Sequence, residues 1–407
     1  MAKIVFVIID GIGGLPTSVL KNRTALEAAK TPNLDYFAEK GQTGFTKNFK
    51  IDNENFLREN GSNFGYISLF GVNPRKTNWK RAPIEAIGID AEFEEGNLAI
   101  RFNFAYVNPK GIVESRRAGR ISNEEGKKFT EEIKQKINYS GDYEIKHQLG
   151  YRGMIILRSK QELGDDITGS DPLKEGIHPR NVQSLKKTEK NERSANMLRI
   201  LEQKVNEVLN TTKLNTGRRS RGGYPINRIL TRGAGTKLPE LPIYDDFAAI
   251  CTSPVEFGMA KLTKMKILGI SKPEEEYKQD IDKTLEVLQQ NYEQHDKFLI
   301  FIKAPDTFGH DGNSNKKKQS IEYLDKTIFQ FLKENINLKE DVLCVTADHA
   351  TPARLMRHTA EPIPLLISGK IKPDITTKFG ERYCKNGDLN EKLGYNIMHL
   401  LYKIYRQ

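Results

Sequence analysis

Five short apolar runs constrain the fold of this 407-residue chain more than any other feature. Each run spans six residues and ends at polar or glycine-containing sequence, which is typical of central strands covered on both faces. Segments with helical periodicity lie between them. Strands that alternate with helices indicate an α/β fold with a mostly parallel sheet. The runs are IVFVII (4–9), FAAICT (247–252), FLIFIK (298–303), VLCVTA (342–347) and PLLISG (364–369).

The helical segments show apolar residues at spacings of three and four, the period of an amphipathic helix. We predict two short helices within ALEAAKTPNLDYFAEKG (25–41). Longer helices are predicted over residues 274–292 and 316–335, and a last amphipathic helix over NEKLGYNIMHLLYKIY (390–405).

The middle of the chain differs from the parts that flank it. Strands are predicted over LAIRFNFAYV (98–107) and MIILRS (154–159), and a helix begins after Ser122, which has capping-box spacing to Glu125. The remaining elements predicted here are a helix over 192–210, a polar, glycine-rich loop over 211–225, and a strand and turn within 226–235.

The chain is too long for one compact core, which indicates two domains. We expect residues 91–238 to form a smaller α+β domain inserted into the first domain. Residues 1–90 and 239–407 would then close one sheet around the insertion. The sequence contains neither an internal repeat nor a long low-complexity tract.

The charge balance is basic, with 64 Lys and Arg against 53 Asp and Glu and a formal net charge of +11. A basic balance favours anionic partners such as phosphorylated metabolites or nucleic acid. A soluble, lysine-rich surface explains the same charge equally well. Basic residues interleaved with aromatic ones are absent from the sequence, so nucleic acid is the weaker option.

The cysteines and the apolar segments indicate the cellular compartment. Cys251, Cys344 and Cys384 are far apart and lack CxxC spacing, which argues against a disulfide framework or a zinc finger. This pattern is typical of a reducing cytoplasm. The first apolar run is too short for a secretory signal, and no stretch approaches the ~20 apolar residues of a membrane span. We therefore expect a cytoplasmic protein without a membrane partner; its oligomeric state is left open.

Aspartate and histidine side chains follow three of the predicted strands. In doubly wound sheets, functional groups lie beyond the carboxyl ends of the strands. A single Asp at such a place usually caps a helix, and a single His is usually a satisfied core or surface residue. Together, however, these groups are costly to bury unpaired and are ligands of divalent metals such as manganese and zinc. The set predicts a metal site, with room for two adjacent ions, and consists of Asp10, Asp306, His310, Asp348, His349 and His358.

The segment GSNFGYISLFG (61–71) contains a candidate nucleophile, Ser62. A serine before an apolar helical segment is often only an N-cap. Beside two metal ions, however, its hydroxyl could lose its proton and attack phosphorus.

Several motifs occur here in the order found in one family: MAKIVFVIIDGIGG, TALEAAKTPNLDYFAEKG, GSNFGYISLFG, RAPIEAIG, RFNFAYV, RRAGRIS, RGAG, KAPDTFGHDG and TADHATPARLMRHTAEPIPLLISG. Together they resemble the cofactor-independent phosphoglycerate mutases of the archaeal type, within the alkaline phosphatase superfamily. The resemblance runs from the first strand to at least residue 369. It implies an alkaline-phosphatase-like sheet flanked by helices, with an inserted α+β domain that binds substrate and acts as a lid.

The resemblance also implies a phosphotransfer site with two divalent ions, usually manganese and sometimes magnesium, zinc or cobalt. One ion would be bound by Asp306, His310 and His358. The other would be bound by Asp10, Ser62, Asp348 and His349, with Ser62 as the catalytic nucleophile. Such an enzyme interconverts 3-phosphoglycerate and 2-phosphoglycerate through phosphoserine, independently of 2,3-bisphosphoglycerate.

Two motifs depart from the family pattern. Where the family commonly has GSDTAHLSLLG, this chain has Asn63, Gly65 and Tyr66 in place of Asp, Ala and His. Where the family usually has TDTDPH, this chain has TGSDPL (168–173). The metal-site residues are intact, so these departures bear on the substrate or on the efficiency of the mutase reaction.

A mutase must hold glycerate by its carboxylate after the substrate has given up its phosphate. Arginine forks suit both carboxylates and phosphates. The substrate-binding candidates are Arg101, Arg117, Arg120, Arg152 and Arg232, with Arg116 as a further arginine. Lys303, at the end of the run FLIFIK, could also face the phosphate. Two alternatives stay open. One is a metal-dependent phosphomonoesterase, or a mutase for another small phosphate ester; the other is a non-catalytic relative that binds anions or nucleic acid.

Overall fold

The computed structural model describes residues 2–48, 64–76, 79–270 and 276–407, so Ser62 lies outside the described residues. The chain divides into two compact units. The outer unit consists of Met1–Asn78 and Glu240–Gln407, and the inserted unit is Trp79–Pro239. The inserted unit begins before residue 91 because the helix Arg81–Gly88 packs against its sheet.

An eight-stranded sheet forms the centre of the outer unit, in the order β13-β2-β12-β11-β1-β10-β8-β9. Its strands are β1 (Ile4–Ile9), β2 (Gly41–Lys47), β8 (Ala248–Cys251), β9 (Lys266–Ile270), β10 (Lys297–Ile302), β11 (Val342–Thr346), β12 (Ile363–Ser368) and β13 (Asn390–Leu393). Five strands that are adjacent in the sheet run parallel to one another: β11, β1, β10, β8 and β9. Strand β12 is antiparallel to both of its neighbours, β11 and β2. The five apolar runs are five adjacent strands, and the predicted α/β class with a mostly parallel sheet is confirmed.

Strand β2 has the sequence GQTGFTK, which carries no apolar run and was not predicted. Its two glycines allow neighbouring chains to approach closely. A Cβ atom at Gly41 would lie 2.3 Å from the carbonyl oxygen of Ile367, and one at Gly44 would lie 2.4 Å from that of Asn390. The strand is therefore held by close backbone packing at its glycines together with the buried polar side chains of Thr43 and Thr46.

Helices cover the sheet of the outer unit. They are α1 (Ala25–Ala28), α2 (Pro32–Glu39), α3 (64–69), α8 (Pro254–Leu262), α9 (Tyr277–Asn291), α10 (Ala304–His310), α11 (Ser314–Leu324), α12 (Gln330–Asn335), α13 (Glu381–Cys384) and α14 (Ile397–Tyr405). A π-helical turn, Asp325–Phe329, joins α11 to α12. The prediction of one helix over 390–405 was wrong, because its first residues pair with β2 as strand β13 and only Ile397–Tyr405 is α-helical.

The inserted unit has a five-stranded antiparallel sheet with the order β4-β3-β6-β5, in which β7 also pairs with β3. Its strands are β3 (Leu98–Val107), β4 (Val113–Ser115), β5 (Asp142–Leu149), β6 (Arg152–Arg158) and β7 (Arg228–Gly235), and its helices are α4 (Arg81–Gly88), α5 (Asn123–Lys136), α6 (Glu189–Thr211) and α7 (Leu214–Ser220). The N-cap at Ser122 is confirmed, since its side chain accepts the Glu125 amide.

The prediction that residues 211–225 form only a loop was wrong. Helix α7 lies within this stretch, and the buried side chain of Asn215 fixes it in place. The amide of Asn215 donates to the carbonyl oxygens of Leu209 and Ile226, and its side-chain oxygen accepts the Ile226 N–H. Among the described residues, none of the helices combines the length and the apolar character needed to cross a lipid bilayer.

Candidate metal centre

The metal-ligand candidates of the outer unit come from three neighbouring strands. Strands β11, β1 and β10 are adjacent and parallel, so their carboxyl ends meet at one edge of the sheet. Asp10 follows β1, Asp306 lies in the first turn of α10 after β10, and Asp348 and His349 follow β11. The chain then returns to place His358 beside His310. Except for Ser62, the predicted metal-site residues are therefore brought together at this edge.

The first group consists of Asp306, His310 and His358, whose ligand atoms all lie within 4.8 Å of one another. The Nε2 atoms of the two histidines are 2.8 Å apart, and Asp306 Oδ1 lies 3.5 Å from one and 3.7 Å from the other. His310 Nδ1 lies 3.2 Å from the carbonyl oxygen of Met356, which can only accept, so Nδ1 is the donor. When the ring carries a single hydrogen on Nδ1, its lone pair is on Nε2, the atom that faces the group.

The second group consists of Asp10, Asp348 and His349, which are 2%, 0% and 0% exposed. His349 Nε2 lies 3.3 Å from Asp10 Oδ1 and 3.1 Å from Asp348 Oδ2. Within the described part of the chain, Asp10 Oδ1 and both carboxylate oxygens of Asp348 have no hydrogen-bond partner. Buried oxygens of this kind require a compensating partner, and a bound ion is one such partner.

The pKa values show how these charges affect one another. Burial and the neighbouring Asp10 carboxylate raise the pKa of Asp348 well above its usual value. Burial lowers the pKa of His349 to about 3, so its ring is neutral at physiological pH. Burial and His349 also lower the pKa of His358. Neutral imidazoles beside buried carboxylates are a donor set suited to a divalent cation.

Lys303 supplies a positive charge at the same edge. Its ammonium group contacts Asp10 Oδ2 and lies 2.9 Å from Asp306 Oδ2. Burial alone would lower the pKa of Lys303, but these two carboxylates raise it above its usual value. Lys303 therefore remains charged, and it binds the carboxylate oxygens that face away from the histidines.

Tyr66, one of the departures from the family motif, contacts this centre. Its hydroxyl lies 3.3 Å from Asp10 Oδ2 and 3.1 Å from Glu256 Oε1. Glu256 in turn accepts the amides of Thr252 and Ser253 at the start of α8. The tyrosine thus links Asp10 to the amino end of a neighbouring helix.

The inserted unit carries a separate cluster of arginines. Arg101 on β3 is paired across the sheet with Arg232 on β7, and Arg152 on β6 is opposite Asn103 of β3, so the three arginines share a face. Within the described residues, the buried Nε atoms of Arg101 and Arg232 donate no hydrogen bond. Unused guanidinium donors of this kind suit an anion.

Two buried carboxylates organise the arginine cluster. Glu85 contacts Arg81 and lies 3.6 Å from Arg101; burial opposes its ionisation, but Arg81 and Arg101 lower its pKa to about 2. Asp171 accepts two hydrogen bonds from Arg116, at 2.8 and 2.7 Å, and lies 3.4 Å from Arg232. The cluster is positively charged, because these two carboxylates are outnumbered by five guanidinium groups, those of Arg81, Arg101, Arg116, Arg152 and Arg232.

The other two arginine candidates have different surroundings. The Arg117 guanidinium lies 5.9 Å from the ring centroid of Tyr151, which Arg152 contacts from 5.3 Å. Burial would raise the pKa of Tyr151, but Arg152 and Arg117 lower it to about 8. Arg120 is exposed and has a left-handed backbone with φ 59°. Arg101, Arg152 and Arg232 therefore share one face of the sheet, whereas Arg120 lies between β4 and α5.

In the TGSDPL motif, Asp171 is the residue that faces the arginines. Ser170 points elsewhere, because its hydroxyl donates to the buried carboxyl group of Glu202 at 2.8 Å and its amide lies 3.2 Å from Thr231 Oγ1. Leu173 has φ 64°, and its amide donates to Asp171 Oδ1. The motif thus forms a turn that fixes the Asp171 carboxylate.

Two residues that contact the metal-ligand candidates or their loops were not predicted. The Thr351 hydroxyl donates to Asp306 Oδ1 at 2.7 Å and lies 3.0 Å from His349 Nδ1. Lys317, 1% exposed, donates to the carbonyl oxygens of Gly11, Gly13 and Thr351. The position of Thr351 two residues after His349 is a sequence signal for it. Lys317 stands in a run of three lysines and has no such signal.

Comparison with known proteins first defines the class. A family model described as the metalloenzyme superfamily matches residues 240–404. A second model, described as 2,3-bisphosphoglycerate-independent phosphoglycerate mutase, matches residues 38–215. The superfamily match and the two acid–histidine groups identify the outer unit as a divalent-metal-binding unit.

Individual relatives then define the family. A probable 2,3-bisphosphoglycerate-independent phosphoglycerate mutase of Thermus thermophilus is 34% identical, over 98% of this chain and 93% of the relative. Such a mutase of Methanocaldococcus jannaschii is also 34% identical, over 98% and 96%. The solved cofactor-independent phosphoglycerate mutase of Thermoplasma acidophilum has a TM-score of 0.60 and 26% identity over the full length of both chains. A Pyrococcus horikoshii structure has a TM-score of 0.78 and 27% identity, over 100% and 97%. The chain belongs to the 2,3-bisphosphoglycerate-independent phosphoglycerate mutases, a family of isomerases.

Proposed function

We propose that this protein interconverts 3-phosphoglycerate and 2-phosphoglycerate through a phosphorylated Ser62, without 2,3-bisphosphoglycerate. The observation that carries the proposal is the meeting of the two acid–histidine groups at one edge of the sheet in a chain of this family. The arginine cluster adds a site for the second anionic group of such a substrate. The substrate is therefore a small phosphorylated carboxylic acid.

We assign one divalent ion to Asp306, His310 and His358. The second ion is assigned to Asp10, Asp348 and His349, with Ser62 as a further ligand. Manganese is our first choice for both, with magnesium, zinc and cobalt as alternatives. When bound, such ions polarise phosphoryl oxygens and stabilise the charge that develops during transfer.

The chain's own residues have distinct parts in the proposed reaction. Ser62 accepts the phosphoryl group and returns it to the other hydroxyl of glycerate. Lys303, held between Asp10 and Asp306, presents an ammonium group toward the phosphate. Arg101, Arg152 and Arg232 bind the carboxylate so that glycerate is retained while it reorients, and Arg117 and Arg120 remain further candidates for this role.

The compartment follows from the same chemistry. We infer a cytoplasmic location, since the substrates are phosphorylated metabolites. The three cysteines are buried and free, which agrees with a reducing environment.

The decisive assay uses purified protein, 3-phosphoglycerate and manganese, with 2,3-bisphosphoglycerate omitted. We expect 2-phosphoglycerate to form and free phosphate to stay low. Free phosphate without the isomer would instead favour the phosphomonoesterase. Absence of metal-dependent turnover, together with salt-sensitive binding of nucleic acid, would favour the non-catalytic alternative.

Ser62→Ala tests the covalent step. The change removes the oxygen that carries the phosphoryl group, so turnover should fall by several orders of magnitude. If Ser62 were only an N-cap, its replacement by alanine would cost about 1 kcal/mol of stability and leave the chemistry intact. Acid-quenched peptide mapping should find phosphate on the peptide that contains Ser62. Ser68→Ala is the matched control, because Ser68 is buried in the helix that follows and should be dispensable for turnover. Full activity of the Ser62 variant would refute the mechanism.

A further inference from the structure

We propose that Thr351 is a positioning residue that joins the two acid–histidine groups and fixes the proton of His349 on Nδ1. The inference rests on the ligand sets proposed above, and it adds Thr351, which is not one of the proposed ligands. Thr351 is 0% exposed and contacts one residue from each group, Asp306 from the first and His349 from the second.

The argument begins with the single proton of the Thr351 hydroxyl. Asp306 Oδ1, 2.7 Å away, is a carboxylate oxygen and accepts this proton. The other oxygen of the same carboxylate already faces the Lys303 ammonium group. Since its proton is used, Thr351 Oγ1 can only accept from His349 Nδ1, 3.0 Å away. The neutral His349 ring therefore carries its hydrogen on Nδ1.

The tautomer determines what His349 presents on its other side. With the hydrogen on Nδ1, Nε2 has a lone pair. That atom lies 3.3 Å from Asp10 Oδ1 and 3.1 Å from Asp348 Oδ2. When both carboxylates are ionised, three electron-rich atoms then face one another, an arrangement that repels unless a cation lies among them. The opposite tautomer would donate an N–H to a carboxylate and remove the imidazole as a ligand.

The backbone around Thr351 is fixed independently of its hydroxyl. Its amide donates to the carbonyl oxygen of Gly13 at 3.0 Å, and its own carbonyl oxygen accepts the Lys317 ammonium at 2.8 Å. A Cβ atom at Gly11 would lie 2.7 Å from Thr351 Oγ1, and one at Gly309 would lie 2.5 Å from its carbonyl oxygen. The turn at Gly11 and helix α10 thus approach this threonine as closely as glycine permits.

Thr346 provides the comparison within the same region. It is also 0% exposed, and its hydroxyl lies 2.9 Å from the hydroxyl of Thr46 and donates to the Pro364 carbonyl oxygen at 3.0 Å. It ends β11, whereas Thr351 follows the two ligand candidates. Removal of the Thr346 hydroxyl therefore measures the cost of an unmade buried hydrogen bond near the site without touching a ligand.

The test compares Thr351→Val, Thr351→Ser and the control Thr346→Val by titrating metal-free protein with manganese, using calorimetry and electron paramagnetic resonance. Loss of an outer-shell partner typically weakens metal binding by about 10–100-fold, and we expect this for Thr351→Val. Thr351→Ser keeps the hydroxyl and should restore the affinity. Thr346→Val should lower the melting temperature while leaving manganese affinity unchanged. Wild-type affinity in folded Thr351→Val would overturn the inference.

A second measurement on the wild-type protein covers the case in which Thr351→Val does not fold. Nitrogen-15-labelled histidine, observed by NMR in the magnesium-loaded protein, reports the tautomer of each ring. The His349 signals are assigned by their loss in His349→Ala. We expect the proton on Nδ1, and a proton on Nε2 would overturn the inference.

The same titration separates this inference from the ligand assignment. His310→Ala and His349→Ala should each lower the number of bound ions. If both variants kept the wild-type number, the ligand sets would be wrong and the role of Thr351 would fall with them. If they lost metal while Thr351→Val and wild type bound alike, only the role of Thr351 would fail.

Discussion

At the scale of single residues, the buried carboxyl group of Glu202 has a predictable effect on stability. Its oxygen accepts the hydroxyls of Ser170 and Thr231 within the inserted unit. Burial raises the pKa of Glu202 to about 7, and the two hydroxyls offset only part of that rise. Since the ordinary value is 4.5, the folded state binds a proton between pH 4.5 and 7 that the unfolded state has released.

Glu202→Gln should therefore change how stability depends on pH. A raised folded pKa gives stability that is complete below pH 4.5 and is lost as pH rises toward 7. The loss amounts to roughly 3 kcal/mol, and glutamine, which does not ionise, should be free of it. Urea unfolding at pH 5 and pH 8 measures the difference. Glu207→Gln, on the exposed side of the same helix, should behave like wild type. Parallel pH curves for the Glu202 variant and wild type would contradict the prediction.

Arg232→Ala should separate carboxylate binding from phosphoryl transfer. We expect isomerisation of phosphoglycerate to fall by at least ~10-fold more than hydrolysis of a simple aryl phosphate, because only the former needs the carboxylate held. The control is Arg228→Ala, an exposed arginine on the same strand. Equal losses in both reactions would show that Arg232 serves the phosphoryl step or the fold.

At the scale of elements, the turn that follows β1 depends on a glycine. Gly11 has φ 64°, and its carbonyl oxygen accepts the Lys317 ammonium group. A Cβ atom here would lie 2.7 Å from Thr351 Oγ1 and 2.9 Å from the Cα atom of Asp306. A side chain at this position would therefore push the turn that follows Asp10 away from helix α10 and from the segment that carries Thr351.

Gly11→Ala should weaken both the fold and the metal site. The left-handed backbone alone costs an L-residue about 1–2 kcal/mol. Gly222→Ala is matched for this term, since Gly222 has φ 72° and nothing lies within 4 Å of an added Cβ atom. We expect a larger loss of stability for Gly11→Ala than for the control, and weaker manganese binding in Gly11→Ala alone. Equal effects on stability and unchanged metal affinity would show that the turn tolerates a side chain.

The elements that could be predicted from the sequence are those whose pattern of apolar side chains reflects how they are buried. The central strands are buried on both faces, so their apolar runs identify them. Strands β2 and β13 are polar and depend on pairing with distant residues. Helix α7 is held by hydrogen bonds of its Asn215 side chain to residues outside the helix, such as Ile226. No local pattern records such partners, which is why these elements were missed or misassigned.

The same distinction applies to the site. Asp10, Asp306 and Asp348 could be predicted because a strand places the residue that follows it at the sheet edge. The proton arrangement at Thr351 depends on distances within the segment after β11 and from it to helix α10, and it could not be predicted. Lys317 looks like a solvated lysine in the sequence, yet it is buried under backbone carbonyls. The role of Ser62 as nucleophile stays a prediction, since this residue lies outside the described part of the chain.

At the scale of the whole molecule, metal binding should contribute to global stability. A cation bound as proposed by Asp10 and Asp348 would offset the repulsion between these two buried carboxylates. A chelator should therefore lower the melting temperature as well as abolish turnover. Each ion at 100 times its dissociation constant contributes about 2.7 kcal/mol. Calorimetric scans with and without chelator, followed by return of manganese, measure the effect. An unchanged melting temperature in fully metal-free protein would contradict it.

The position of β1 in the sheet has a consequence for how the chain is made. This first strand lies between β10 and β11, residues 297–302 and 342–346. At a synthesis rate of about 5–20 residues per second, roughly 15–60 s pass before the earlier of these partners is translated. The inserted unit, whose sheet lies within residues 79–239, has by then been completed on the ribosome. Throughout that interval the nascent apolar segment IVFVII lacks the strands that cover its edges in the folded sheet, which leaves it open to aggregation.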